Sequence, residues 1–330
     1  LGAFTIPDTI TEIGDGAFQY CSALNGLVIP ASVTSIGNSA FAHCYGLAEI
    51  VIPNTVTTMG YHVFYVCSGL LRVTLPDHLT EIGKGWFYRC EKLSEITIPA
   101  GVTSIAESAF NICPALTALT IPDGVTSIGK SAFYRSGLRT ITLPASVTSL
   151  EAGVFNSCHD LIEILVAPDN PAYRSIDGVL YTKDLRTLVQ CPSGKSGPVT
   201  VPASVTEVLQ NAFTYCDELN VVRYMGDAPN FASSGYNDFT VHYFEGSDGF
   251  TQPTWMGNDV VEDAAPTAMG TWLFDHELPY DSDVESDPNH DGVSLLMAYA
   301  LDLDPREDLS IRMPVSQLGP DTFSVTFRAA

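Results

Sequence analysis

The sequence is poor in basic residues: 15 Lys and Arg stand against 38 Asp and Glu, which gives a formal net charge of −23 at pH 7. Nucleic acids and anionic membrane surfaces attract cationic proteins, so this balance argues against both as partners. No run of about 20 apolar residues occurs, and membrane insertion through a transmembrane helix is therefore not expected. The sequence begins within a repeat at Leu1 and shows no signal peptide, an absence that says little about export.

Motifs of several enzyme classes are also missing. The sequence has no Cys-x-x-Cys pair, no glycine-rich phosphate loop and no nucleophile elbow. His43 beside Cys44 and His159 beside Cys158 suggest a nucleophile pair or zinc ligands, but neighbouring residues of a repeat rarely point to one centre. A Ser/His/Asp triad assembled across repeats is recognised only by geometry. An enzyme is therefore the least supported class, and we predict a protein without catalytic activity.

What the sequence has in abundance is repetition. Phenylalanine recurs every 23 residues from Phe18 to Phe133, and in most of these repeats cysteine follows it three positions later. An apolar residue followed by proline marks each unit, from Ile6-Pro7 to Val201-Pro202. A fixed period of 20 to 50 residues is typical of a solenoid.

The residues of one unit explain why such repeats stack. Ile50 and Ile52 alternate with Val51, as in a short strand with one buried face, and Pro53 ends the strand because proline lacks an N–H. Further apolar residues lead the chain back across the core to Phe64. One coil cannot bury its own apolar edge, so we expect neighbouring coils to stack on it.

The combination of Ile-Pro, Val-Thr-Ser-Ile-Gly and Ala-Phe-x-x-Cys at fixed spacing resembles the BspA-like bacterial leucine-rich-repeat family, over about residues 1–222. The resemblance implies an α/β repeat solenoid, which is a right-handed leucine-rich-repeat superhelix of short strands and short helical turns. It also implies an extracellular or cell-surface location, and binding rather than catalysis. The characteristic leucines are Leu24, Leu47, Leu70, Leu93, Leu116, Leu138, Leu161 and Leu219.

We divide the chain into a solenoid at 1–222, a cap at 223–257, a linker at 258–268 and a small acidic module at 269–330. An irregular repeat interrupts the solenoid at 161–200. Within it Asp177-Gly178 predicts the tight connection of a β-hairpin, and the repeat is either a longer coil or a protruding binding loop. An open solenoid end exposes unpaired strand and apolar core, so we expect a terminal unit that covers it, and the aromatic residues of this segment suit that role. A carbohydrate-stacking platform is the alternative.

Seven of the eight cysteines occupy one repeat position, and Ser136 takes that position in one unit. This ladder predicts reduced, buried thiols rather than a disulfide framework, since free cysteine behaves as a small buried hydrophobe. Cys191 departs from the repeat position, and we expect it to be an exposed thiol.

The acidic tail carries a spacing that is typical of calcium ligands. Residues 256–330 hold 15 acids against three arginines, and 287–292 match the start of a calcium loop. The segment resembles dockerin-like and thrombospondin-type-3-like calcium loops. Ala298 stands where an EF-hand has a bidentate acid, so either the affinity is weak or upstream residues from Asp281 to Glu285 complete the coordination sphere. A solvated acidic linker is the alternative interpretation of the segment. We also predict a helix over 293–303 and a strand over 322–327. The predicted Ca²⁺ ligands are Asp283, Asp287, Asn289, Asp291 and the carbonyl of Val293.

We therefore expect a secreted or cell-surface repeat protein, monomeric, that mediates adhesion by binding a protein or glycan partner through the outward face of its strands. A rigid spacer with a C-terminal sorting or docking module is the structural alternative. The candidate binding residues on the strand face are Asn25, Glu49, Arg72, Glu95, Thr97, Thr120, Arg139 and Thr142.

Overall fold

The computed structural model describes residues 4–231 and 239–264, together with the backbone of 315–318 and 323–326. Its strands are short and lie in two rows along a solenoid. The first row contains β1 (Phe4–Thr5), β3 (Leu27–Val28), β5 (Glu49–Val51), β7 (Arg72–Thr74), β9 (Glu95–Ile96), β12 (Thr140–Leu143), β14 (Glu163–Val166), β18 (Pro198–Val201), β20 (Val221–Tyr224), β22 (Thr240–Phe244) and β24 (Asn258–Asp263). The second row contains β2 (Glu12–Ile13), β4 (Ser35–Ile36), β6 (Thr58–Met59), β8 (Glu81–Ile82), β10 (Ser104–Ile105), β11 (Ser127–Ile128), β13 (Ser149–Leu150), β17 (Thr187–Gln190), β19 (Glu207–Val208) and β21 (Asn230–Phe231).

Strands within a row pair in parallel with the strand one repeat away. In the first row Glu49 lies opposite Arg72 and Arg72 opposite Glu95. Side chains on the second row reinforce this register: the Thr57 hydroxyl donates to the carbonyl of Thr34 at 3.3 Å. The same bond recurs at Thr34, Thr103 and Thr126, so these coils are joined to their neighbours at equivalent positions of the repeat.

The predicted short helical turns are wrong for the described residues, which contain no helix. In the segment that returns the chain past Phe41, the N–H groups of Phe41 and His43 donate to carbonyls of the next coil, at Val63 and Tyr65. An α-helix would use these N–H groups for its own carbonyls. Ser39 and His43 also have φ of 54° and 62°, a left-handed conformation that a right-handed helix excludes.

A spine of phenylalanine rings fills the centre of the stack. The spine contains Phe18, Phe41, Phe64, Phe87, Phe110, Phe133 and Phe155. Neighbouring rings are stacked with centroids 5.3 to 5.8 Å apart, a separation at which aromatic pairs attract. The rings from Phe41 to Phe133 are fully buried. The predicted stacking of one coil on the next is confirmed.

The cysteine ladder is confirmed as free and buried, apart from the half-buried Cys21. Its structural role is hydrogen bonding: the thiol of Cys90 donates to the carbonyl of Phe64, one coil earlier, at 3.2 Å. The prediction of an exposed Cys191 is wrong, because this side chain is completely buried. The long repeat carries Cys191 next to Cys216, whose thiol donates to the Cys191 carbonyl at 3.8 Å.

The irregular repeat contains the predicted hairpin, formed by β15 (Tyr173–Ile176) and β16 (Val179–Thr182). Asp177 and Gly178 connect the strands with φ of 48° and 74°, as a tight hairpin turn requires. The hairpin packs into the stack: the side chain of Tyr181 is fully buried, and buried Asn170 donates to two carbonyls of the preceding coil. This packing fits a longer coil and not a protruding loop.

Parallel pairing extends beyond the predicted boundary at 222. β22 pairs with β20 and with β24, so residues 258–263 form a strand of the solenoid and not a linker. β23 (Thr254–Trp255) runs antiparallel to β24. The aromatic residues of this region pack inward: Tyr243 stacks on Phe250 at 4.6 Å, and Trp255 is buried. They form core in these last coils and offer no platform for a sugar.

In the tail, β25 (Val315–Leu318) and β26 (Phe323–Thr326) form an antiparallel pair. The strand predicted over 322–327 is thus confirmed. The predicted calcium loop at 281–293 and the predicted helix over 293–303 lie outside the described residues.

Candidate functional site

The first row of strands presents two lines of exposed side chains, which we call the strand face. Between them lie buried residues such as Ile50 and Val73, because alternate residues of a strand point to opposite sides. One line consists of Glu49, Arg72, Glu95, Ala118, Thr140 and Glu163, and the other consists of Val28, Val51, Thr74, Thr97, Thr120, Thr142 and Leu165.

The charged line is joined by ion pairs. Arg72 Nε lies 3.4 Å from a carboxylate oxygen of Glu49 and 3.7 Å from one of Glu95. All three side chains are more than half exposed, and exposed ion pairs contribute only about 0–1 kcal/mol to stability. These charges therefore add little to the fold and are accessible to a partner.

Large apolar side chains lie exposed at both ends of the strand face. Val28 and Val51 are 63% and 61% exposed, and they line a shallow depression of 580 Å³ together with Asn25 and Glu49. Leu165 is exposed at the opposite end. Sequence reasoning named only polar residues here. The missed signal was the apolar residue directly before the Ile-Pro pair, such as Val28 and Val51, whose alternation with inward neighbours predicts exposure.

All eight predicted binding residues are exposed, but they do not form one line. Glu49, Arg72 and Glu95 lie together, and Thr97, Thr120 and Thr142 belong to the second line. Asn25 and Arg139 are displaced by one residue, because each directly follows the repeat leucine whereas Glu49 follows it by two. The register of Thr140 opposite Glu163 confirms this offset for Arg139.

The histidine–cysteine neighbours do not converge. The ring of His43 stacks on Tyr20 at 4.5 Å, whereas the thiol of Cys44 donates inward to the Phe18 carbonyl. Burial raises the pKa of the thiols of Cys90, Cys113 and Cys158 above the ordinary value of 9.0. Since the thiolate is the nucleophile, these side chains are chemically inert at neutral pH.

A second group of polar side chains ties the last coils together. Asp263 lies 3.5 Å from Arg223 Nε and 3.0 Å from His242 Nδ1, so its carboxylate connects β20, β22 and β24. The side chains of Arg223, His242 and Asp263 are 17%, 21% and 27% exposed. The contacts join three neighbouring strands and stabilise the end of the described solenoid.

Within residues 4–231 and 239–264, no three His, Cys, Asp or Glu side chains come together as a metal site. Across the described residues, no helix is long and apolar enough to cross a membrane.

Solved structures of similar fold support the solenoid architecture. A leucine rich cell surface protein from Faecalibacterium prausnitzii A2-165 is 23% identical, with a TM-score of 0.60 over 85% of this chain and 91% of that chain. A leucine-rich repeat protein from Bacteroides ovatus ATCC 8483 is 23% identical, with a TM-score of 0.54 over 78% of this chain and 77% of that chain. At this identity the likeness shows the fold alone.

No curated protein matches the chain significantly. The family model described as the BspA type leucine rich repeat region matches in six copies, over residues 1–116 and 80–177. The matched residues make up more than half of the chain, are spaced by its 23-residue period and contain its phenylalanine spine. The chain therefore belongs to the BspA-type leucine-rich-repeat family.

Proposed function

We propose that this protein is a non-catalytic recognition protein of the cell surface that binds a protein or glycan partner through the strand face. The observation that carries the proposal is the continuous exposure of both lines of the strand face, including apolar side chains that no described part of the chain covers. Exposed apolar groups that lie together are typical of interaction sites.

The chemistry of the strand face suits a macromolecule better than a small molecule. Ligand pockets for small molecules are concave and enclosed, whereas this surface is an extended line with one shallow depression at Val28 and Val51. The apolar ends would supply buried area, and the charged line at Arg72 would fix the orientation of a partner. The surface location is part of the proposal, and it is the location named for the Faecalibacterium prausnitzii protein of similar fold.

The test is binding of the labelled full chain to arrays of purified glycans and purified proteins, followed by titration of each hit. Val28→Asp combined with Val51→Asp should weaken binding at least about 10-fold, since placing two charges in a buried apolar contact costs more than about 1.4 kcal/mol. Leu209→Asp is the matched control, because Leu209 is also exposed but lies off the strand face. Equal loss in the control contradicts the proposal.

A chain that binds nothing on either array at micromolar concentration would favour the rigid spacer. The partner class is decided by which array responds.

For the tail we propose, from its sequence alone, that Asp283, Asp287, Asn289, Asp291 and the carbonyl of Val293 bind Ca²⁺. Carboxylate and carbonyl oxygens are the ligands that calcium prefers. Millimolar calcium should raise the unfolding temperature of the full chain, and Asp287→Ala should abolish the rise. Asp302→Ala, outside the loop, should preserve it. No shift in the unmodified chain would refute the site.

A further inference from the structure

The return segments of the first four coils carry a second exposed surface, separate from the strand face. It consists of aromatic side chains, and we call it the tyrosine–histidine surface. Tyr20, Tyr45 and Tyr61 are 64%, 45% and 58% exposed. The complete surface contains Tyr20, His43, Tyr45, Tyr61, His62, Tyr65 and Tyr88.

The rings hold one another in fixed positions. Tyr20 stacks on His43 at 4.5 Å, and His43 meets Tyr65 edge to face at 5.6 Å. Tyr65 in turn stacks on Tyr88 at 4.8 Å. The Tyr45 hydroxyl lies 3.1 Å from Nδ1 of His43. A surface ordered in this way loses little side-chain entropy when a partner binds.

The surface is uncharged within a strongly acidic protein. Residues 16–76 contain one acid and one base, Glu49 and Arg72, and both lie on the strand face. At the end of the surface Lys84 is paired with Glu107 at 2.7 Å. Arg89 lies near Tyr88 and is paired with Glu91. A surface rich in tyrosine and depleted of charge is typical of the core of a protein–protein interface.

The stacking favours a protein over a glycan at this surface. A sugar ring packs against the open face of an aromatic ring, and a stacked neighbour already covers one face of each of Tyr20, His43, Tyr65 and Tyr88. Besides the remaining ring faces, the surface offers ring edges, phenol hydroxyls and imidazole nitrogens. These groups suit the mixed apolar and hydrogen-bonding surface of a folded protein.

The charge of the chain decides what kind of protein fits. With a net charge of −23, two copies of the chain repel one another, which disfavours self-association through this surface. The same field attracts a cationic protein and raises its rate of association. Contact then takes place on a part of the first coils where neither sign of charge has to be desolvated.

We propose that the tyrosine–histidine surface binds a folded protein of net positive charge, through uncharged aromatic contacts and independently of the strand face.

The test uses an array of purified extracellular proteins that spans acidic to basic isoelectric points, probed with the full chain at physiological salt, beside an array of neutral glycans. We expect hits among the basic proteins. Tyr20→Ala combined with Tyr61→Ala should raise their Kd at least about 10-fold, because exposed tyrosines at an interface centre are typical hot spots.

Tyr215→Ala is the matched control. Tyr215 lies at the same position of its coil as Tyr20 and has the same φ of 63°. It is 41% exposed, against 64% for Tyr20, and lies outside the surface. It should change the Kd by less than about 2-fold, a change well below the hot-spot range. The strand-face variant with Val28→Asp and Val51→Asp should likewise retain binding, so the two proposals fail separately.

Four outcomes overturn the inference: no basic protein binds, binding is weakened as much by Tyr215→Ala, only the strand-face variant loses binding, or the tyrosine-dependent hits are glycans. Thermal unfolding of each variant establishes that a loss of binding is not a loss of fold.

Discussion

The buried thiols should make this protein sensitive to alkali in a way that depends on their number. Cys90, Cys113 and Cys158 are buried, and burial raises the pKa of each thiol above its ordinary value of 9.0. The folded chain keeps these thiols protonated where the unfolded chain ionises them. Because the unfolded state then binds fewer protons, stability is complete below pH 9 and falls as pH rises above it.

The size of the effect follows from the linkage relation. Between pH 8 and pH 9.5, ionisation of one thiol with an unfolded pKa of 9.0 lowers the free energy of unfolding by about 0.8 kcal/mol. Three thiols together give at most about 2.4 kcal/mol, a limit reached if all three stay protonated in the fold. Replacing all three with serine removes the ionisation and keeps a hydroxyl that can donate to the phenylalanine carbonyl. Ser136 already occupies this repeat position.

The assay is chemical unfolding with a reductant present, at several pH values from 8 to 9.5. The triple serine variant should lose less stability over this interval than the unmodified chain, by up to about 2.4 kcal/mol, whatever its stability at pH 8. Ser136→Cys is the reciprocal control and should steepen the loss by about one thiol's share. Parallel pH dependences for all three chains would refute the reasoning, since the ladder would then not be protonated in the fold.

Three further changes test the stack. Phe110→Ala should cost about 3–5 kcal/mol in chemical unfolding because it leaves a cavity in the spine, whereas Phe4→Ala, 46% exposed, should cost far less. Val66→Asn should raise stability by about 1 kcal/mol, since Val66 has φ of 58°, where a β-branched residue is strained; a decrease would count against strain. Burial lowers the pKa of His62 below 6.5, as does the charge of nearby Lys84, although Glu107 acts in the opposite direction. The unfolded chain therefore binds a proton at His62 more readily, so stability should fall as pH drops below 6.5. His62→Gln should reduce this fall in thermal melts.

The period of the sequence was enough to predict the stack, because identical spacing places Phe18, Phe41 and their successors in one line. The replacement of helical turns by tight turns in the described return segments was not predictable from residue types. Ala40 and Phe41 occur readily in a short helix, and only the neighbouring coil, which accepts the N–H of Phe41, turns this segment into a chain of tight turns. Tertiary hydrogen bonds here override local preference.

The candidate sites also divide into features that a local pattern predicts and features that depend on packing between coils. Alternation along each strand correctly predicted that Arg72 and Thr97 are exposed, since that pattern is local. The burial of Cys191 and the pairing of residues 258–263 as a strand depend on how the irregular coils pack, which the repeat spacing does not encode. The tyrosine–histidine surface was missed because its members occupy different positions of the repeat. They meet only when successive coils overlie one another.

The register of the return segments has a consequence for how long this protein can be. Each coil offers its neighbour the same N–H and carbonyl groups that it accepts from the other side, as at Phe41 and Phe64. A whole 23-residue coil can therefore be inserted or removed, and the flanking coils will still meet with matching bonds. Insertion or removal of whole coils therefore changes the length of the solenoid, and of the strand face along it, in steps of one coil, while the bonds between the flanking coils stay the same.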